Sequence, residues 1–370
     1  MGQGIKSRFS GAVKKFQTAY NDTKRKSLVQ MSKEFLIASV NSKHIATNYF
    51  TSFLYRKNIN NYLDYVCHQE WEYLQRVICD SGTFAVQDNK LFLQQYFENA
   101  KMPMPELLAY SIREKMIVKN DKGWSQHEIM SSEAFHEIIN ELLTKSSNNA
   151  IFIKPCTGSG GKGALRISKR NNELPNEIIP RFLESFLSGS YIFQDEVKQN
   201  KKLALLNPST LNSMRIDTFK KPGAKPEILS AFLRVGRSNK CVDNTGSGGV
   251  WIGINLSDGT LKEFGFTDIT AGGLLQNIHP DTGITFKGFQ IPLFEEAKQL
   301  VVDAASWLPK SLVGWDIAIS EHGPVLIECN SIYYNMAASD IAYGGYRKNP
   351  VYCKVVDYVK NDLKKLSLAK

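Results

Sequence analysis

Residues 151–167, IFIKPCTGSGGKGALRI, constrain the fold more than any other stretch of the chain. An apolar run, Ile151-Phe152-Ile153, ends in Lys154-Pro155. It passes through the loop Thr157-Gly158-Ser159-Gly160-Gly161-Lys162-Gly163 and leaves as a second strand, Leu165-Arg166-Ile167. Glycines let backbone N–H groups approach phosphate oxygens without Cβ obstruction and open the φ > 0 region. Lys154 at the strand end and Lys162 in the loop are placed to reach the same phosphates as point charges. A Walker A loop needs Ser or Thr where Gly163 stands, and both it and the dinucleotide-binding fingerprint open a helix. Here the loop opens a strand. The pattern is a phosphate cradle between two strands; a mobile hairpin is the alternative the loop alone leaves open.

A second segment, VGWDIAISEHGPVLIECN, pairs two short strands (315–319 and 324–328) across a turn at Ser320-Glu321-His322-Gly323. Asp316 and Glu328 are evenly spaced, so both can point to one face if the turn keeps register, and Asn330 shares the face of Glu328 by the two-residue period. Two carboxylates and an amide oxygen are the hard-oxygen set that Mg²⁺ takes, leaving positions for phosphate and water. The apolar flanks Ile317, Val325, Leu326 and Ile327 bury the hairpin around them. Solvated hairpin acids are the plainer reading, and Glu321 and His322 at the tip read as exposed polar residues.

At 370 residues the chain is too long for one ordinary core and reads as two or three lobes. Its 42% hydrophobic and 22% charged content is that of a folded globular protein. Residues 1–82 read as helical, with Phe35, Leu36, Ile45, Tyr49, Phe50, Phe53 and Leu54 recurring at threes and fours. From 83 to 150 short strands and helices are expected: LFLQQYFENA as helix, MPMPELLAY as a break and a strand, Gly123-Trp124 and 146–149 as loops. Beyond 151 the pattern predicts strands at 191–193, 214–219, 228–236, 249–254, 315–319 and 324–328. Helices are predicted at 176–188 and Glu295–Trp307, and a basic amphipathic docking helix at 351–370. The fold class is α+β, a mixed or antiparallel sheet region following a helical N-terminal part, with divisions at 1–82, 83–150, 151–200, 201–350 and 351–370.

The formal charge of +10 favours phosphate-bearing ligands. Basic residues are spread along the chain, with a mild cluster between Lys6 and Lys26. No basic block interleaved with aromatics appears, so no specific nucleic-acid partner is expected. The six cysteines lack metal-ligand spacing and read as buried thiols, not a disulfide framework. No window approaches the ~18 apolar residues of a membrane span. The N-terminus lacks an apolar secretory core, and Lys6 stands where a myristoylation motif wants Ser or Thr. The expected location is the cytoplasm.

A strand lysine feeding a glycine loop, with D-(x)₁₁-E-x-N far downstream, resembles the ATP-grasp superfamily. Residues 192–197, IFQDEV, resemble the strand and linker that hold adenine there. LLNPSTLNSMRIDTF, RVGRSNKCVDNTGSGGVWIGI and HPDTGITFKGFQIP resemble the sugar-transfer-associated branch, over about residues 85–345. The resemblance implies ATP held between two α+β lobes, 151–200 forming the small lobe and 201–350 the large. It places Mg²⁺ at Asp316, Glu328 and Asn330, and the α/β-phosphates at Lys154 under Gly158, Ser159, Gly160, Gly161 and Lys162. Gln194, Glu196 and Val197 would surround adenine, with Lys202 at ribose or phosphate. Arg215 and Arg234, with Lys154, are the implied catalytic residues; Arg234 and Arg237 would also hold a substrate carboxylate. Asp243, Asn244, Gly248 and Gly249 would form an acceptor-side loop, with His279 beside the substrate. Cys329 would point away from the metal.

The activity implied is activation of a carboxylate as an acyl phosphate and its transfer to an amine. The partners would be a small-molecule carboxylate and amine (amino acid, sugar or nucleotide sugar). Such a ligase would add an amino acid to a uronic acid or other carboxylate in cell-surface polysaccharide biosynthesis, in peripheral association with glycan-assembly machinery. Two other readings fit the same family: a kinase phosphorylating a sugar or other small-molecule hydroxyl, and a non-catalytic nucleotide-binding module of a glycan-assembly complex. The intact Lys154, Asp316, Glu328 and Asn330 set speaks against the last.

Overall fold

The computed structural model describes residues 13–79, 81–158, 160–169, 178–237, 248–331 and 334–363. Helix α1 (13–21) and helix α2 (Leu28–Ser42) open the chain, α2 capped by the Ser27 side chain accepting from the Gln30 N–H. Helices α3 (His68–Ile78), α4 (Ser81–Asp88) and α5 (Lys90–Asn99) follow, and Asn89 caps α5 at the N–H groups of Leu91 and Phe92.

The small lobe is one six-stranded antiparallel sheet. Its strands are β1 (Leu107–Ile112), β2 (Lys115–Asn120), β3 (Gly123–Glu128), β4 (Ala150–Pro155), β5 (Leu165–Ser168) and β6 (Ser190–Asp195), in the order β3-β2-β1-β6-β4-β5. Between β3 and β4, helix α6 (Ser132–Lys145) places Phe135, Ile138, Ile139, Leu142 and Leu143 on one face. They pack against Met116, Val118, Ile151, Ile153 and Phe193, and against Phe186 of helix α7 (Ile178–Ser188). The division expected at 150 falls inside this lobe, because β6 hydrogen-bonds both β1 and β4. Trp124, expected in a loop, lies in β3 opposite Lys119. Asp121 and Lys122 make the turn, and Gly123 opens β3 opposite Asn120 at φ +124°.

The large lobe is a seven-stranded antiparallel sheet, ordered β11-β10-β9-β8-β7-β12-β13. Its strands are β7 (Ser213–Lys220), β8 (Glu227–Val235), β9 (Val250–Ile254), β10 (Leu261–Phe266), β11 (Leu275–Gln276), β12 (Ser311–Ile319) and β13 (Pro324–Asn330). Helix α8 (Phe294–Ser306) and α5 cover one face, with Ala297, Val301, Leu93 and Phe97 against Met214, Ile216, Leu233 and Trp315. The other face is covered by the N-terminal part: Tyr49, Phe53 and Leu54 pack on Phe232 and Trp251. Phe232 and Leu233, neighbours in β8, thus enter opposite cores. Burial on both faces makes the central strands read as continuous apolar runs. Helices α9 (Ala337–Ala342) and α10 (Pro350–Asp357) close the chain. α10 runs into a π-helical stretch to Leu363 and packs Tyr352, Val355 and Tyr358 against Trp71, Leu74 and Ile78 of α3. Cys67, Cys79, Cys156 and Cys329 are buried free thiols, and Cys353 is exposed. No helix among the described residues is long and apolar enough to cross a membrane.

Candidate active site

Two cavities meet where the lobes face each other. One, of about 460 Å³, is lined by Lys154, Gly158, Gly160, Gly161, Lys162, Gln194, Glu196 and Val197 from the small lobe and by Asp316, Ile327 and Glu328 from the large. The second, of about 750 Å³, runs from Arg215, Arg234, Glu328 and Asn330 to the N-terminal part. Lys90, Gly158, Gly160, Arg234 and Glu328 line both.

The acids meet through a bulge. The hairpin tip pairs Ile319 with Pro324 and Ile317 with Leu326, a register that would set Ile327 opposite Asp316 and turn Glu328 to the far face. The ladder shifts at that point, so Asp316 pairs with Glu328 and Gly314 with Asn330, leaving Ile327 as the extra residue. Even spacing in sequence therefore put both acids on one face only because of this bulge, which also lets consecutive residues, Ile327 and Glu328, line the same cavity.

Asp316 is 2% exposed, and Arg215 grips both its oxygens. Arg234 adds a third contact, Nη2 to Oδ2 at 2.9 Å, while its guanidinium also donates to Ser213 Oγ. Burial alone would raise the Asp316 carboxyl, but the two arginines outweigh it and hold the group well below the usual carboxylate range. Glu328 moves the other way. Burial, then the Asp316 charge beside it, raises its pKa, although 26% of the side chain still faces the cleft. Its nearest cation is Lys90, with Nζ 3.7 Å from Oε2. Burial lowers Lys154 to about 8, against the pull of Glu328.

Around the loop, Gly158, Gly160, Gly161 and Gly163 all hold positive φ. At Gly163 a Cβ would lie 3.0 Å from Pro155 Cγ. Lys90 Nζ donates to the Gly158 carbonyl at 2.8 Å, tying α5 to the loop. The linker after β6 is anchored: Asp195 accepts from the Ser146 and Ser147 hydroxyls at 2.7 and 2.6 Å, and Arg166 holds the Glu196 carboxylate. Gln194 is buried and donates to Gln94 Oε1 at 2.7 Å.

Other expected residues stand elsewhere. His279 is fully buried and lines neither cavity. Its Nε2 meets the Gly236 carbonyl at 3.0 Å and its Nδ1 the Thr282 hydroxyl at 3.2 Å, so it braces the end of β8. Lys202 is exposed in a short helical turn, its ammonium 5.9 Å from the Phe289 ring, and the cavity wall there is Lys198, Gln199 and Ala204. Arg237, Gly248 and Gly249 flank the segment 238–247 and line neither cavity, while Ser159, Asp243 and Asn244 lie outside the described residues.

The sequence had no signal for Lys90 or for the wall formed by Lys15, Thr47, Asn48, Thr51, Ser52 and His68. Asn48 Oδ1, Ser52 Oγ and Gln87 Oε1, from residues of that wall and α4, are buried and have no hydrogen-bond partner among the described residues. Asn48 Nδ2 is fixed on the Val66 carbonyl at 3.3 Å.

The chain belongs to the sugar-transfer-associated ATP-grasp family, whose sequence model matches residues 70–349. Comparison with curated proteins returns no match. Among solved structures, D-alanyl-alanine synthetase A from Vibrio cholerae O1 biovar eltor is 11% identical over 75% of this chain and 66% of its own, at a TM-score of 0.43. The D-alanine–D-alanine ligase from Coxiella burnetii is 9% identical over 77% and 62%, at 0.41. The N5-carboxyaminoimidazole synthase from Aspergillus clavatus, in complex with ADP and its ribonucleotide, is 11% identical over 77% and 59%, at 0.40. The chain spans less than two thirds of the length of each, and likenesses this distant add nothing to the family assignment.

Proposed function

We propose that the chain is an ATP- and Mg²⁺-dependent ligase that activates a carboxylate and joins it to an amine. The junction of the two cavities at Glu328, Arg234 and Lys90 carries this reading: a phosphate cradle opens directly onto a second, larger cavity lined by cations. Nucleotide would occupy the smaller cavity, with Lys154 and the loop N–H groups against its phosphates. The carboxylate would enter from the larger one and meet Arg234 and Arg215.

Asp316, Glu328 and Asn330 suit a hard divalent cation. Glu328, whose ionisation is suppressed by burial and by Asp316, has the chemistry of a ligand that a cation would complete. The metal would supply neutralisation of phosphate charge. Arg215 and Arg234 keep Asp316 ionised, and Lys90 and Lys154 bring positive charge to the transferring phosphoryl group. Attack by a carboxylate oxygen on the γ-phosphorus would break its bond to ADP; attack by the amine on the acyl carbon would then release phosphate. The unpaired polar atoms of Asn48, Ser52 and Gln87 favour a hydroxyl-rich substrate, in keeping with an amino acid added to a uronic acid or related sugar of a cell-surface polysaccharide.

The test is ADP release over a matrix of carboxylates and amines, followed by ¹⁸O transfer. Label moving from the substrate carboxylate to inorganic phosphate is the expected result, lost with EDTA or in Glu328→Gln and Lys154→Ala. A stable phosphorylated product would make the protein a kinase. No ATP consumption with any pair would leave only a nucleotide-binding module.

A further inference from the structure

Helix α2 turns the wrong kind of surface to solvent. Its inner face buries Met31, Glu34 and Ala38. The opposite face, at spacings of four, three and four, carries Val29, Lys33, Leu36 and Val40, with Val29 82% and Val40 79% exposed. Ile45 continues the patch past the helix end, and Phe16 and Tyr20 of α1 are also exposed. Phe16 meets Phe50, which packs against Phe35 of α2, so the two helices form one unit. Among the described residues nothing covers the Val29–Leu36–Val40 stripe.

The charge around it is of one sign. Residues 13–45 hold seven Lys and Arg against two acids, half the net charge of the chain. Both acids are spent internally: Asp22 pairs with Arg56 at 2.7 Å and Glu34 with Lys26 at 2.6 Å. Lys14, Lys24, Lys33 and Lys43 stay exposed, with no exposed acid among them.

We infer that this N-terminal face docks the protein on a bilayer carrying anionic lipid headgroups. An apolar stripe framed by lysines matches the two layers of such a surface, with side chains entering the headgroup–acyl boundary and ammonium groups remaining at the phosphates. A nucleic acid would use the lysines but leave the stripe in water. A second copy of the chain would bring like charges together across it. Behind the same unit, Thr47, Asn48, Thr51 and Ser52 line the larger cavity, so docking would hold that cavity's wall close to the membrane.

The experiment is co-sedimentation of the full chain with vesicles of phosphatidylcholine containing 30% phosphatidylglycerol, and with phosphatidylcholine alone. Binding to the anionic vesicles, at least tenfold weaker on neutral ones and weakened by salt, is expected. Lys24→Glu/Lys33→Glu/Lys43→Glu and, separately, Val29→Ser/Leu36→Ser/Val40→Ser should each reduce it tenfold or more with unchanged melting temperature. Absence of binding, equal binding to both vesicles, or binding untouched by both variants would overturn the inference. So would a dimer in sedimentation that the serine variant dissolves, which would assign the face to a second copy.

Discussion

Replacing Arg215 by Met tests whether the Arg215–Asp316 pair organises the large-lobe side of the site. Both side chains are buried, and Arg215 holds both oxygens of Asp316 beneath the Tyr334 ring, 5.5 Å from its guanidinium carbon. Removing one partner of a buried pair costs about 3–5 kcal/mol, since the other is left as an uncompensated charge. Here Arg234 retains one contact with Asp316, so the lower end, about 3 kcal/mol, applies. At roughly 2–4 °C per kcal/mol for a lobe of this size, the melting temperature should fall by roughly 6–12 °C. Near-UV circular dichroism reads this directly, because Trp315 adjoins Asp316 in β12. Arg215→Met/Asp316→Asn removes the stranded charge and should recover most of the loss while remaining inactive. A loss below about 1 kcal/mol, or a double variant no more stable than the single one, would show that the pair does not organise this face.

Gly163→Ala forces a side chain onto a residue at φ +73° and against Pro155, at a local cost of about 1–2 kcal/mol. The KM for ATP should rise several-fold with kcat changed less, and an unchanged KM would detach the loop from nucleotide binding. His279→Asn should lower stability by about 1–3 kcal/mol through its two lost partners. It should leave the shape of the kcat–pH profile intact; loss of a limb of that profile would restore a chemical role. Burial raises Asp340 from 3.8 to about 7 in spite of N–H bonds from Val66 and Tyr346. The folded state then binds the proton more tightly than the unfolded one. Stability from this group is full below the unfolded value and is lost as pH rises through about 7. Urea titrations should show that slope in the native protein and a flatter one in Asp340→Asn.

What was legible in the sequence was local. Lys154 and its glycines stand within one strand–loop–strand unit, and both neighbouring strands are bounded by residues that carry their own turn chemistry. Lys90 was invisible because its partners are Gly158 and Glu328, brought to it by packing of α5 between the lobes. The wall of Thr47, Asn48, Thr51 and Ser52 was hidden for the same reason: four polar residues near a helical turn look like surface until Tyr49, Phe53 and Leu54 among and beside them pack on Phe232 and Trp251. His279 and Lys202 show the converse case: each is a suitable residue type at a plausible place, but His279 is buried with both ring nitrogens engaged, Lys202 is exposed beside Phe289, and neither lines either of the two cavities. The small-lobe boundary was misplaced because β1 meets β6 only after some eighty intervening residues, a pairing that no local pattern announces.

The extra residue at Ile327 also sets a rule for how this hairpin can change length. Asp316 and Glu328 face each other through one slip that lies inside the ladder, between the Ile317–Leu326 and Asp316–Glu328 pairs, and not in the tip. One or two residues added at 320–323 would lengthen the turn and leave the acids opposed. A residue added within the paired part of β12, between Asp316 and Ile319, would instead turn Asp316 to the other face unless a second slip arose with it. A motif written as a fixed gap between Asp and Glu is therefore too strict for distant relatives; the constraint is the strand pairing that runs up to the acids, and the length of the turn is free of it.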